Sequence, residues 1–179
     1  MPTITAPTVR YAPHTVTTKD IAAAWREHHS DNRDLKVWLR MVQSAGIDSR
    51  PWLRPLEETG ANEGVGPRSR AAYDGARELA LAAAREALKK TGLNPGDVGA
   101  IVTSHTSSYT VPGLDVDLVR RLGLRPDVAR VGLSTVACAG GAQALIQADR
   151  LTVPGPASTS WSSSLKDSAR STIPGANRP

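Results

Sequence analysis

The feature that most constrains this chain is the order of apolar patterns between Ala71 and Leu151. Helical spacing, a short continuous apolar run, helical spacing, a second short run and a third helical segment follow one another. This order predicts α/β layering, with strands covered on both faces. The first helix is expected over 71–91, where Ala76, Leu79, Ala80, Ala83, Ala87 and Leu88 form a small-residue face able to lie close on a sheet. Gly92 suits the left-handed turn past its end, and Asn94-Pro95-Gly96-Asp97 is a strong turn signal. A buried strand is expected over 98–103, a helix over 114–122 closed by Gly123, and a second strand over 131–136. That strand runs through Ala137-Cys138 into a helix from Ala139 to Leu151.

The sequence ahead of this block is less regular. Residues 1–16 are rich in Pro and Thr and read as extended. Thr17-Thr18-Lys19-Asp20 fits a capping box opening a helix that runs to His29. Leu35, Trp38, Leu39 and Val42 then lie on one face of a helix over 35–45, ended by Gly46. The stretch from Arg50 to Arg70 is punctuated by Pro and Gly and reads as a loop. With four Trp, three Tyr and no Phe, any core must be built from Leu, Val, Ile and Ala. The last 28 residues hold seven Ser and four Pro without apolar periodicity, so 152–179 is expected to be a disordered tail behind a domain at 1–151.

Composition excludes several function classes. The net charge of +5 comes from scattered Arg interleaved with Asp and Glu, without the basic run that tracks phosphates, so no nucleic-acid partner is expected. A single cysteine rules out an intrachain disulfide and any multi-cysteine zinc site, and no metal site is expected. The N-terminus lacks the basic start and apolar stretch of a secretory signal, and no segment approaches the roughly 20 apolar residues of a membrane span. These readings place the chain in the cytoplasm.

Cys138 falls where a strand turns into a helix and is followed by Ala139-Gly140-Gly141. The positive end of the helix dipole and its unpaired N–H groups favour a thiolate, which is the nucleophilic form. Small residues after it let an acyl group and its carrier approach, and leave N–H groups to hold an oxyanion. On these residues alone, a buried structural cysteine fits equally well.

The surrounding residues carry a resemblance. Thr106-Ser107-Ser108-Tyr109-Thr110-Val111-Pro112-Gly113-Leu114-Asp115, then Leu122-Gly123-Leu124-Arg125-Pro126-Asp127-Val128, then Arg130, then Ala137-Cys138-Ala139-Gly140-Gly141 is similar to the type III polyketide synthases, the chalcone and stilbene synthase group, in its bacterial form. Gly46-Ile47-Asp48-Ser49-Arg50 and Pro55-Leu56-Glu57-Glu58 resemble the same family, which covers residues 5–151 as the family's N-terminal half. The resemblance implies a thiolase-like fold with αβαβα layers, of which this is the first half. It implies a cytoplasmic homodimer that loads an acyl starter from coenzyme A onto cysteine and extends it with malonyl-CoA by decarboxylative Claisen condensation. Both thioesters are substrates, and no permanently bound cofactor is implied.

By motif, Cys138 is the loaded nucleophile, and Thr106 and Ser107 line the cavity where the chain grows. Val111 is the residue that reaches across the dimer into the neighbouring cavity. Arg50 falls in the basic region that meets coenzyme A phosphates, where Asp48 stands in place of a further basic residue. The family's His and Asn, which stabilise the enolate, come from its second half. His14, His28, His29 and His105 do not match that histidine, and His28 and His29 are expected to be solvated. The chain is therefore expected to be a truncated or frameshifted form, inactive alone. A ketoacyl synthase III-like fragment and a non-catalytic interaction module are the other readings.

Overall fold

The computed structural model describes residues 3–59, 64–106, 110–134 and 136–152. The expected tail therefore lies, beyond Thr152, outside the described residues.

The N-terminal part is a helical pair clasped by two strands. Strand β1 (His14–Thr17) pairs antiparallel with β2 (Ser49–Trp52), His14 opposite Trp52 and Thr17 opposite Ser49. Between them run α1 (Thr18–His28) and α2 (Leu35–Ser44). The expected capping box is formed. Thr17 Oγ1 accepts from the Asp20 N–H at 3.1 Å, and Asp20 accepts from the Thr17 N–H at 2.9 Å. These bonds hold the Asp20 carboxyl below its ordinary range, the Thr17 side chain being the larger cause. Ile21 and Ala22 of α1 are buried, as is Val16 on β1. Helix α2 meets α1 through an edge-on Trp25–Trp38 pair, centroids 5.9 Å apart, but none of its residues is buried.

The expected loop from Arg50 to Arg70 is corrected. It contains β2, a single helical turn α3 (Leu56–Thr59) and the first six residues of the long helix α4 (Val65–Thr91). Pro51 is tolerated because β2 belongs to a two-stranded sheet, where a missing ladder donor costs little. Pro67 falls in the first turn of α4, whose N–H groups have no intrahelical partner. The prolines that read as loop punctuation thus sit where proline is compatible with regular structure.

The second part is the expected α/β block. Strand β3 (Ala100–Ser104) pairs parallel with β4 (Ala129–Leu133), Ala100 opposite Ala129 and Ser104 opposite Leu133. Helix α5 (Leu114–Leu122) connects them, and α6 (Gly140–Thr152) follows. Alternation along β3 divides its side chains between two faces. Ile101 packs on the cluster of Leu81, Leu114 and Leu118 from α4 and α5. Ala100 and Val102 instead line a groove with Ala144 and Leu145 of α6. The sheet is therefore a middle layer with α5 and α4 on one side and α6 on the other.

Leu81, Leu114 and Leu118 are each under a tenth exposed, and burying a leucine contributes about 1.5–3 kcal/mol. A two-pronged Arg121–Glu78 pair at 2.7 and 3.0 Å joins α5 to α4 and holds the Glu78 carboxyl low. Gly92 and Gly123 end α4 and α5 in the left-handed conformation, at φ 68° and 70°. The second strand begins two residues earlier than the apolar run indicates, because Ala129 and Arg130 pair with Ala100 and Ile101. Among the described residues, no helix is long and apolar enough to cross a membrane.

Candidate functional site

Both parallel strands deliver their following residues to the same end of the sheet. In open α/β sheets this carboxyl end is where binding crevices form. His105, whose N–H donates to the Leu133 carbonyl at 3.1 Å, and Thr106 leave β3 there. Ser134 leaves β4, and the chain then enters a tight turn at Ala137–Ala139 that runs directly into α6.

Cys138 is the middle residue of that turn and is exposed, which rejects the buried structural reading. Ala137 before it is the only non-glycine among the described residues with positive φ, at 45°. Gly140 after it is buried against Ser104 of β3, whose hydroxyl occupies the space a Cβ would need. The turn is thus wedged onto the sheet by a glycine and bent by a left-handed alanine. The expectation of free N–H groups after Cys138 is corrected in part. The Ala139 N–H donates to the Val136 carbonyl at 3.1 Å, and the Gly140 N–H donates to the Ala137 carbonyl.

At the carboxyl ends of β3 and β4 lies a cavity of about 450 Å³ whose walls include Thr103, His105, Thr110, Val111, Asp115 and Gly132. Its lining does not include Cys138. Val111 stands at the rim, fully exposed, ahead of a cis peptide bond to Pro112. Asp115 in the first turn of α5 accepts from Arg130 Nη1 at 3.2 Å. Burial, and secondarily the Asp117 charge, raise the Tyr73 phenol above its ordinary range behind the α5 side of the sheet.

The predicted residues are only partly brought together. Thr106 and Val111 follow β3, and Cys138 follows β4, at one end of one sheet. Ser107 lies outside the described residues. Arg50 lies on the other sheet, where its Nη1 donates to Thr18 Oγ1 at 3.1 Å. Of the histidines, His105 lines the cavity, while His28 and His29 are exposed as expected, His29 with its ring edge-on to Trp38 at 5.9 Å. Sequence reading missed Thr103, Asp115 and Gly132. Asp115 looks like an ordinary first-turn acid, and its link to Arg130 forms only through the packing of α5 against β4.

Residues 54–158 match the family model described as chalcone and stilbene synthases, N-terminal domain. The chain is 24% identical over 149 residues to phloroglucinol synthase of Pseudomonas fluorescens, covering 83% of this chain and 43% of that protein. It is 25% identical over 156 residues to 1,3,6,8-tetrahydroxynaphthalene synthase of Streptomyces griseus, covering 87% and 42%. The structure of germicidin synthase from Streptomyces coelicolor, a type III polyketide synthase, superposes with a TM-score of 0.74 at 28% identity, over 84% of this chain and 47% of that one. The chain thus spans about two fifths of the length of the curated relatives it matches. Its layers are those of the N-terminal portion of the thiolase-like fold.

Proposed function

The chain belongs to the chalcone and stilbene synthase family, the type III polyketide synthases, through that family's N-terminal domain, and from that premise we propose that Cys138 is its acyl-accepting nucleophile. The observation that carries this reading is the exposed thiol in a left-handed turn that follows β4, at the carboxyl ends of two parallel strands.

The Cys138 thiolate attacks the carbonyl carbon of an acyl-CoA. The new S–C bond forms as the bond to the coenzyme A sulfur breaks, and coenzyme A leaves as its thiol after taking a proton. Loss of CO₂ from malonyl-CoA then gives an enolate whose carbon attacks the Cys138 thioester, releasing the thiolate and a chain longer by two carbons. Enolate formation needs positioned donors at the developing oxyanion. By resemblance those are a His and an Asn of the family's second half. The resemblance assigns Thr106 and Ser107 to the cavity of the growing chain, Val111 to a partner copy in a homodimer, and Arg50 to coenzyme A phosphate. The setting is cytoplasmic polyketide biosynthesis.

Intact-mass measurement after incubation with acetyl-CoA and hexanoyl-CoA tests the loading step. The expected result is one acyl adduct on the wild type and none on Cys138→Ser. An unmodified wild-type chain that iodoacetamide also labels slowly would refute it. That result would leave a non-catalytic interaction module, the reading favoured by the absence of Cys138 from the cavity lining.

A further inference from the structure

Gly140 is not required by its backbone. It stands at φ −56° and ψ −40°, ordinary right-handed helix that L residues adopt freely. Glycine is also a poor residue within a helix. Space explains it instead. An ideal Cβ on Gly140 would overlap Ser104 Oγ, stand 3.4 Å from Ser104 Cβ and lie 3.5 Å from Val136 Cγ2. Gly141, the next residue, has open space in the same position. The notch is therefore specific to one residue, and the Ser104 hydroxyl fills it.

Both sides of this contact are held. Alternation puts Ser104 in the row of β3 that faces α6, after Ala100 and Val102. A hydroxyl thus replaces an apolar side chain where the first turn of α6 lands. Ser104 pairs opposite Leu133, and the His105 N–H donates to the Leu133 carbonyl at 3.1 Å, which fixes that end of β3. On the other side, Gly140 is tied to the turn before it. Its N–H donates to the Ala137 carbonyl, the Ala139 N–H donates to the Val136 carbonyl at 3.1 Å, and Cys138 lies between these residues. How closely Gly140 lies on Ser104 therefore sets where the Cys138 thiol stands.

We infer that Ser104 is a positioning residue for acyl loading: seated in the notch left by Gly140, it sets the depth of the first turn of α6 on β3 and so the place of the Cys138 thiol. This rests on the nucleophile role proposed above. A Cβ at position 140 lifts the turn away from β3, while loss of the Ser104 hydroxyl leaves a gap into which the turn settles. Either shift displaces the thiol, and small displacements of a reacting group slow reactions strongly. Removing the hydroxyl and adding the Cβ together restores the fit, because the two Cβ atoms then stand 3.4 Å apart.

The test is a double-mutant cycle of Ser104→Ala and Gly140→Ala in the full chain. Acyl transfer from hexanoyl-CoA to Cys138 is followed by intact mass across acyl-CoA concentrations. Iodoacetamide labelling at neutral pH reads the thiol without acyl-CoA. Gly140→Ala is expected to lower the maximal loading rate at least about tenfold, and Ser104→Ala about threefold, with KM for hexanoyl-CoA within about twofold of wild type. The double variant is expected to load within about twofold of wild type, and labelling falls and recovers in the same order. A double variant slower than Ser104→Ala overturns the inference, and does so even where Gly140→Ala alone fails to fold. A raised KM at unchanged maximal rate overturns it too. A wild type that takes up no acyl group refutes the loading reading instead, and the labelling cycle then decides whether Ser104 and Gly140 place the thiol.

Discussion

Replacing Ala137 by glycine should stabilise the chain, although glycine usually does the opposite. Ala137 has φ 45°, in the region where an L side chain crowds its own backbone. Holding an L residue there costs about 1–2 kcal/mol, a cost glycine does not bear. Glycine's freer unfolded chain offsets this by about 0.4–1 kcal/mol. The difference is a gain of about 0.5–1 kcal/mol for Ala137→Gly, or a melting rise of about 1–4 °C for a chain this size.

Two companion substitutions make the reasoning specific. Ala139→Gly, two residues on at ordinary negative φ, should lose about 0.5–1 kcal/mol by the usual entropy argument. Ala137→Val should lose at least about 1 kcal/mol, because a branched Cβ fits the left-handed region worse than a methyl. Urea unfolding followed by far-UV circular dichroism reads all three, with unchanged slopes confirming that only stability moved. If Ala137→Gly loses stability in parallel with Ala139→Gly, the turn before Cys138 is not left-handed and the strain argument fails.

Other substitutions probe the packing that carries this turn. Gly75 lies mid-helix in α4 with no room beside it, since an ideal Cβ would stand 2.5 Å from Leu53 Cδ2. Gly75→Ala should therefore cost about 1–2 kcal/mol despite its better helix propensity, and Leu53→Ala in the same chain should recover part of that loss in thermal melts. Leu81→Ala empties the centre of the α4–α5 cluster and should cost about 2–5 kcal/mol by urea titration. Thr17→Ala removes the cap of α1 and should cost about 1 kcal/mol near neutral pH. Asp20 is held below its ordinary value of 3.8, so its contribution is present above that value and fades as pH falls through the lower folded value. The gap between wild type and Thr17→Ala should narrow in that acid window, and a gap constant with pH would contradict the reciprocal cap.

The α/β block was legible because its signals are local. The helices over 114–122 and 140–152 follow from apolar spacing, and the glycines after α4 and α5 mark their ends. The segment over 50–70 was not legible, because β2 exists only through pairing with β1 some 35 positions earlier. Helix α4 also carries Gly66 and Pro67 in its first turn, which read as loop punctuation when scored locally. At the site, motif singled out Cys138 and Val111 as candidates, whereas the Asp115–Arg130 tie spans 15 positions and depends on how α5 packs against β4.

The two sheets divide the candidate residues in a way that follows from strand direction. A parallel pair needs a crossover between its strands, here α5, and that crossover returns both strand ends to one side. Residues following β3 and β4 must then converge whatever their spacing in sequence. Thr106, Val111 and Cys138 do so, with Asp115 at the start of the crossover itself. An antiparallel pair sends its ends opposite ways, so β2 has no such obligation and Arg50 is held by Thr18 of α1 instead. Convergence at the sheet end thus supports a shared role for the first group on topology alone. Arg50 needs evidence of its own: if Arg50→Met leaves the KM for acyl-CoA in the loading assay unchanged, the phosphate role falls while the nucleophile role of Cys138 stands.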